Sequence, residues 1–195
     1  MLYVGIDPGE AWCGFAALDA RQDGSVGVEA RTYSVAAHGG YLRLAQDLIN
    51  LIPHNRPTCL IVEDFRVRLK GHQAFSAANT LRFIGALEFG ASTVDAFKFF
   101  LIPPNDHAMR ETKELFGRIL LRYHSTWPRR DHAAWKHCFS AWRVLGHHLI
   151  KHDDDLLLRL QSQRRSHRCD QWLPALVRDP SREFVAPAAE WISTR

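Results

Sequence analysis

No apolar run in this 195-residue chain approaches the roughly 20 residues that a membrane-spanning helix needs, so no membrane partner is expected. Cysteine is sparse. Cys13, Cys59, Cys138 and Cys169 are scattered, with no C-x-x-C pair among them. That argues against a structural zinc site and against a disulfide scaffold, and it points to a reducing, cytoplasmic compartment. The opening residues, Met1-Leu2-Tyr3-Val4-Gly5-Ile6-Asp7, have no basic start and meet a carboxylate early, unlike a secretory leader. Internal repeats and long low-complexity stretches are absent too. Charge of one sign is hardly in excess: 25 Lys and Arg against 21 Asp and Glu give +4. So small a surplus suits a nucleic-acid partner and an ordinary soluble enzyme equally well. What is present is a folded composition, 46% hydrophobic and 24% charged, in a length that suits one compact domain with an appendage.

Leu2 to Asp7 is a short apolar run closed by Pro8-Gly9, the pattern of a buried strand and a turn. Cys13 to Leu18 reads as a second strand, and Asp23-Gly24 turns the chain into a third, Val26 to Val35, giving an antiparallel meander. After Gly39-Gly40, the spacing of Leu42, Ala45, Leu48, Ile49 and Ile52 predicts a helix that Pro53 stops. Cys59 to Val62 is a new buried strand leading into Glu63-Asp64. A polar, basic loop follows from Arg66 to Gln73, then a helix from Ser76 to Phe89 and a strand from about Thr93 to Ile102. Asn105 or Asp106 caps a helix carrying Leu115, Ile119 and Leu120. Asp131 is placed to cap a last long helix through Ile150, with the apolar stripe Ala134, Cys138, Ala141, Trp142, Leu145 and Leu149. The order β-β-β-α-β-α-β-α-α predicts an α/β fold, a mixed five-stranded sheet flanked by helices. The division expected is a domain over residues 1–150 and a helical or irregular appendage over 151–195.

Two acids stand out. Asp7 ends the first buried strand, where an ionised carboxylate is costly unless it binds something; the plain alternative is that it caps its own turn. Gly9 and Gly14, just after it, let a backbone or a ligand come close. Glu63 ends the run Leu60-Ile61-Val62-Glu63. If the two strands are parallel neighbours, both carboxylates reach one sheet edge and repel unless a cation sits between them. Hard oxygen donors on rigid strands suit Mg²⁺ or Mn²⁺. The plain alternative pairs Glu63 or Asp64 with Arg66 or Arg68. A nucleotide-binding reading of the first turn is the lesser alternative, because actin-like ATPases and sugar kinases need two such domains and no second Asp-x-Gly turn appears; measurable ATP turnover would revive it.

Tyr3-Val4-Gly5-Ile6-Asp7-Pro8-Gly9 with Gly14, followed by Ile61-Val62-Glu63-Asp64-Phe65-Arg66, resembles the RuvC-like resolvases of the ribonuclease H superfamily, best their phage-type branch. Ile84-Gly85-Ala86-Leu87-Glu88, Ile102-Pro103-Pro104-Asn105-Asp106, His137-x-x-Ser140-Ala141-x-Arg143 and His147-His148-Leu149 extend the likeness over roughly residues 1–150. The resemblance implies a ribonuclease H-like fold and a homodimeric endonuclease that cuts branched DNA such as a Holliday junction. It implies two Mg²⁺ or Mn²⁺ ions, no nucleotide cofactor, and a place in the cytoplasm of a bacterium or of a phage's host. Asp7, Glu63 and His137 carry over as metal ligands and, with Ser140, as the catalytic set. In that family the last helix closes its ligand pair with Asp three residues on, where this chain has Ser140, a neutral and poor Mg²⁺ ligand. Three explanations fit: a site working with a water-filled gap, a substitution in a chain that natively carries Asp, or a relative that binds branched DNA without cutting. Asp131 does not replace Ser140 directly, since nine helical residues carry it about 13.5 Å away and onto the opposite face.

The basic loop Arg66-Val67-Arg68-Leu69-Lys70 follows Glu63 closely, so Arg66, Arg68 and Lys70 are candidate phosphate contacts. Phe75 is a candidate to stack on or wedge a base, and Arg82 adds positive surface. Each of these residues reads as readily as a solvated surface group. Arg164-Arg165-Ser166-His167-Arg168, in the tail, is either a DNA-contacting arm or a soluble helix face, and Asp153-Asp154-Asp155 is either a metal-binding run or, more commonly for three consecutive acids, an exposed helix start.

Overall fold

The computed structural model describes residues 1–20, 22, 26–65, 73–103, 133–153, 155, 156, 158, 183 and 184. The expected helix after Asn105, the basic loop from Arg66 to Lys70, Asp131 and the Arg164–Arg168 cluster lie outside the described residues.

Three strands open the chain: β1 (Leu2–Pro8), β2 (Trp12–Ala20) and β3 (Val26–Ser34). They form the expected meander, β2 pairing antiparallel with both neighbours. Helix α1 (Tyr41–Leu51) leads to β4 (Thr58–Glu63), which pairs parallel with β1 on its other side. Helix α2 (Gln73–Ser92) then leads to β5 (Phe97–Ile102), parallel to β4, and helix α3 spans Ala133–His152. A two-residue strand from the tail, β6 (Glu183–Phe184), pairs antiparallel with Thr32 and Tyr33. The sheet runs β5-β4-β1-β2-β3-β6. Its first five strands form the mixed sheet of an α/β, ribonuclease H-like fold.

β1 is the hinge of this arrangement, because the antiparallel and parallel halves of the sheet meet on it. Both of its faces are covered, which is why it reads as a nearly continuous apolar run. On one face Leu2, Val4 and Ile6 join Phe15, Leu60 and Val62 in a core with Leu44, Leu48, Phe83 and Leu87 of α1 and α2. On the other, Tyr3, Ala16, Leu18, Cys59 and Ile61 meet Ala141, Trp142, Leu145 and Leu149 of α3. The period-2 alternation of each strand sorts its side chains between these two layers.

Two expected boundaries shift. The strand read from Thr93 begins only at Phe97, because the Thr93 and Val94 amides donate back to Gly90 and Ala91 and the Phe97 amide donates to Val94. α2 begins at Gln73, inside the stretch read as loop, since no apolar repeat marks its first turn. At the sheet end opposite Asp7, Arg56 forms a two-pronged ion pair with buried Asp19, its Nη1 donating to Oδ2 at 2.9 Å. At the same end Tyr3 donates to Asp153 at 2.5 Å, and Asp153 accepts from the Leu156 amide at 3.0 Å. Asp153 therefore caps a helical turn, as a helix-start acid does. Among the described residues no helix is long and apolar enough to cross a membrane.

α3 sits unusually close to the sheet because glycines lie beneath it. A Cβ on Gly14 would stand 1.9 Å from the His137 carbonyl oxygen, and one on Gly5 would stand 2.4 Å from that of Ala141. Gly85, in α2, has nothing within 4 Å. Gly14→Ala is accordingly expected to destabilise the protein by about 3 kcal/mol, since backbone must move to admit the methyl. Gly85→Ala should instead stabilise by roughly 0.5–1 kcal/mol through helix propensity. Urea denaturation of the two variants beside the wild type measures both.

Candidate active site

Asp7 and Glu63 reach one place because their strands are parallel neighbours. The register pairs Leu2 through Ile6 with Thr58 through Val62, and one step further Asp7 stands level with Glu63. Both follow the odd-numbered positions of their strands onto the α3 face. Asp7 also lies opposite Gly14 on β2, and the bare glycine leaves the space that α3 enters.

That space receives His137. Its Nδ1 lies 2.7 Å from Asp7 Oδ2, and a Cβ on Gly9 would come within 2.2 Å of the imidazole Cε1. The closely approaching group foreseen at Gly9 and Gly14 is thus the first part of α3, ring and backbone together. One turn on, the Ser140 hydroxyl donates to Glu63 Oε2 at 3.4 Å. The structure therefore brings Asp7, Glu63, His137 and Ser140 into one cluster. The side chains of Asp7 and His137 keep 13% and 29% exposure, so the cluster opens to solvent rather than closing into the core.

The electrostatics match a pair of crowded acids. Burial pushes the Asp7 carboxyl up to about 6; hydrogen bonding from His137 opposes that rise and the Glu63 charge adds to it. The hydrogen bond to Asp7 raises His137 above its ordinary value, against the effect of burial. His137 thus partly offsets the cost of an ionised Asp7 through this hydrogen bond. The buried thiols of Cys13 and Cys138 are both pushed up by desolvation and stay protonated, so neither is poised as a nucleophile.

Arg143 closes the His137-x-x-Ser140-Ala141-x-Arg143 stretch of α3. It follows Ser140 by three residues, on the same flank of α3, and is half-buried. Desolvation lowers its pKa while the charge of Glu63 raises it, so Glu63 acts on this guanidinium. The i, i+3, i+6 spacing of His137, Ser140 and Arg143 was the signal available for it. The DNA-binding candidates are less well placed by the structure. Arg82 is exposed on α2, in the layer on the far side of the sheet from α3. Phe75 lies in the first turn of α2, its side chain outside the description, as are Arg66, Arg68 and Lys70.

No described group of three or more His, Cys, Asp and Glu side chains is arranged as a metal cage. The donors nevertheless fit a hard divalent cation in kind: two neighbouring carboxylates whose mutual repulsion such an ion relieves.

No protein-family model matches the chain, and no curated protein does. Solved structures do. RuvC of Thermus thermophilus in complex with a Holliday junction substrate superposes with a TM-score of 0.50 at 14% identity, over 80% of this chain and 98% of that one. A Thermus thermophilus RuvC structure gives a TM-score of 0.49 at 17% identity, over 76% of this chain and 93% of that one. The yeast mitochondrial Holliday junction resolvase Ydc2 gives 0.47 at 11%, over 82% and 80%. The first of these shows that the fold is shared.

The raised Asp7 pKa has a thermodynamic sign. The folded state holds a proton that the unfolded state releases between the ordinary carboxylate value and about 6, so stability falls as pH rises through that window. In chelator at pH 8, Asp7→Asn, which keeps an oxygen to accept from His137, is expected to melt higher than the wild type, by on the order of 1 kcal/mol in stability. The gap should close toward pH 4. Millimolar Mg²⁺ should raise the melting temperature of the wild type and leave the variant unchanged, as ligand linkage requires.

Proposed function

We propose that this protein is a divalent-metal-dependent endonuclease that hydrolyses phosphodiester bonds in branched DNA of the Holliday-junction kind. The observation that carries this reading is the meeting of Asp7 and Glu63 at one sheet end, beneath His137. Acids so placed on a ribonuclease H-like sheet are the donors that phosphoryl hydrolysis uses. The junction-bound RuvC that shares the fold adds the substrate class.

Asp7 and Glu63 are the residues that would hold the cation. A divalent ion bound there lowers the pKa of a water and stabilises charge on the leaving oxygen. The protein's own groups do the rest. β1 and β4 fix the two carboxylates at adjacent positions, so little reorganisation is needed when DNA arrives. His137 holds Asp7 in orientation through its Nδ1. In the reaction, water adds to phosphorus, the bond to the 3′ oxygen breaks, and the products carry a 5′ phosphate and a 3′ hydroxyl. The basic residues Arg66, Arg68 and Lys70, which follow Glu63 closely in sequence, are the proposed phosphate contacts, with Phe75 and Arg82 as further candidates. We place the nuclease in residues 1–150 with 151–195 as its appendage. The working form is a homodimer, because two strands of a junction are cut symmetrically. Its site of action is the cytoplasm, bacterial or of a phage's host.

One observation favours a second reading. Ser140, the residue against Glu63, is a neutral donor where an acid would complete the ligand set. A chain so built holds branched DNA without cutting it.

Incubation with a labelled four-way junction separates the two. The nuclease reading expects nicking that needs Mg²⁺ or Mn²⁺ and falls at least about 100-fold in Asp7→Asn and Glu63→Gln, while gel-shift binding persists. A shifted but uncut junction, with cutting gained in Ser140→Asp, establishes the binding reading instead. Absence of both binding and cutting by the folded protein rejects both.

A further inference from the structure

Helix α2 carries apolar side chains on its outward side as well as its inward one. Inward, Phe83, Ile84, Leu87 and Ala91 are buried with α1 and the sheet. Outward, Leu81 is 43% exposed, and Phe89, at 74%, is the most exposed large hydrophobic side chain among the described residues. Gly85 lies midway between them, exposed, with nothing within 4 Å of where a Cβ would stand. The three make one ridge, since residues four apart follow each other along a row inclined about 26° to the helix axis. Apolar residues on both sides of a helix are the mark of one that is covered on both sides. An open glycine at the middle of such a ridge is where a second helix comes closest.

Charge identifies what covers it. Arg82 and Glu88 are both exposed, and they flank the ridge on opposite sides. At 100° per residue each stands about 60° around the helix from Gly85, in opposite senses. Six residues apart and on different flanks, they do not reach each other along the helix. A two-fold axis laid along the ridge exchanges its flanks, so the basic flank of one copy meets the acidic flank of the other, twice. Helices packed by such rows cross at about −50°, the commonest class. α2 connects the parallel strands β4 and β5, so it runs back from the sheet end that holds Glu63. An axis along it leaves the catalytic ends of both copies at the same end of the dimer, as symmetric cutting of one junction requires. The ridge also faces away from α3, so the contact does not cover the site.

We infer that the outward ridge Leu81–Gly85–Phe89 is the surface on which two copies of this chain meet, with Arg82 of each copy paired to Glu88 of the partner subunit. The inference deepens the homodimer of the functional reading, and it rests on that reading for placing both sites at one end. It gives Arg82, a candidate for DNA, a protein partner instead.

The test is sedimentation of the full-length protein, without DNA, across the micromolar range. The wild type is expected to sediment as a dimer. Phe89→Asp should raise the dissociation constant of the dimer on the order of 30-fold or more. Arg82→Glu and Glu88→Arg should each weaken the dimer about tenfold, because each sets like charges together twice. The double variant Arg82→Glu, Glu88→Arg should return it to wild-type strength. Only a contact between copies gives that rescue, since the two residues stand on opposite flanks of one helix. Circular dichroism checks that each variant is folded. A wild type that stays monomeric overturns the inference, whether the ridge is bare or covered by another segment of the same chain. A dimer that Phe89→Asp leaves intact overturns it too, as does one that the charge reversals leave unchanged or weaken without rescue. The wild-type measurement needs no variant, so the proposal stays decidable if a variant does not fold. Failure of the functional reading looks different. A dimer with this rescue that neither shifts nor cuts a four-way junction defeats the DNA reading and leaves the interface in place. A monomer that cuts the junction keeps the nuclease and loses the interface.

Discussion

The seating of α3 on a floor of glycines is the contact on which the rest of the molecule depends. Gly5 and Gly14 have no room for a methyl group beneath the helix backbone, and Gly9 has none beneath the His137 ring. Close approach of this kind does two things at once. It buries Ala141, Trp142, Leu145 and Leu149 against the sheet, completing one of the two cores. It also fixes both the height and the rotation of the helix, so that His137 arrives at Asp7 and Ser140 at Glu63. Packing and chemistry here have one cause.

The acids themselves work against stability. A carboxylate at the end of a buried strand loses hydration, and a second one beside it adds repulsion. Parallel neighbours end on the same side of a sheet, so acids that close two such strands stand together. β1 is where this fold achieves that, carrying an antiparallel partner on one side and a parallel one on the other. Part of that cost is answered locally by the hydrogen bond between His137 and Asp7.

Much of this was legible in the residues. Turn chemistry and short apolar runs located β1 to β4, and the acids at the ends of two runs located Asp7 and Glu63. The last helix was visible from its stripe of Cys138, Ala141, Trp142, Leu145 and Leu149. What stayed hidden has physical reasons. Thr93 and Val94 look like strand residues, but their amides are taken by the end of α2, so the turn prevails over propensity. The glycines announced a close approach without naming the visitor, because α3 is more than a hundred residues away in the chain. The Asp19–Arg56 pair joins segments that share no local pattern. Arg143 sits next to an apolar stripe, where a long cationic side chain ordinarily reaches for solvent. A strand as short as Glu183–Phe184 has no periodicity to read.

The two rims of the sheet are unlike. On one side, β6 supplies hydrogen bonds to Thr32 and Tyr33, so the late part of the chain occupies the rim that the meander leaves open. On the other, β5 is the last strand among the described residues. It exposes Leu101, and it also exposes Lys98, an ammonium that an incoming apolar strand would have to desolvate. Among the described residues, β5 is therefore an edge open to intermolecular strand growth, and a charge stands there as its gatekeeper.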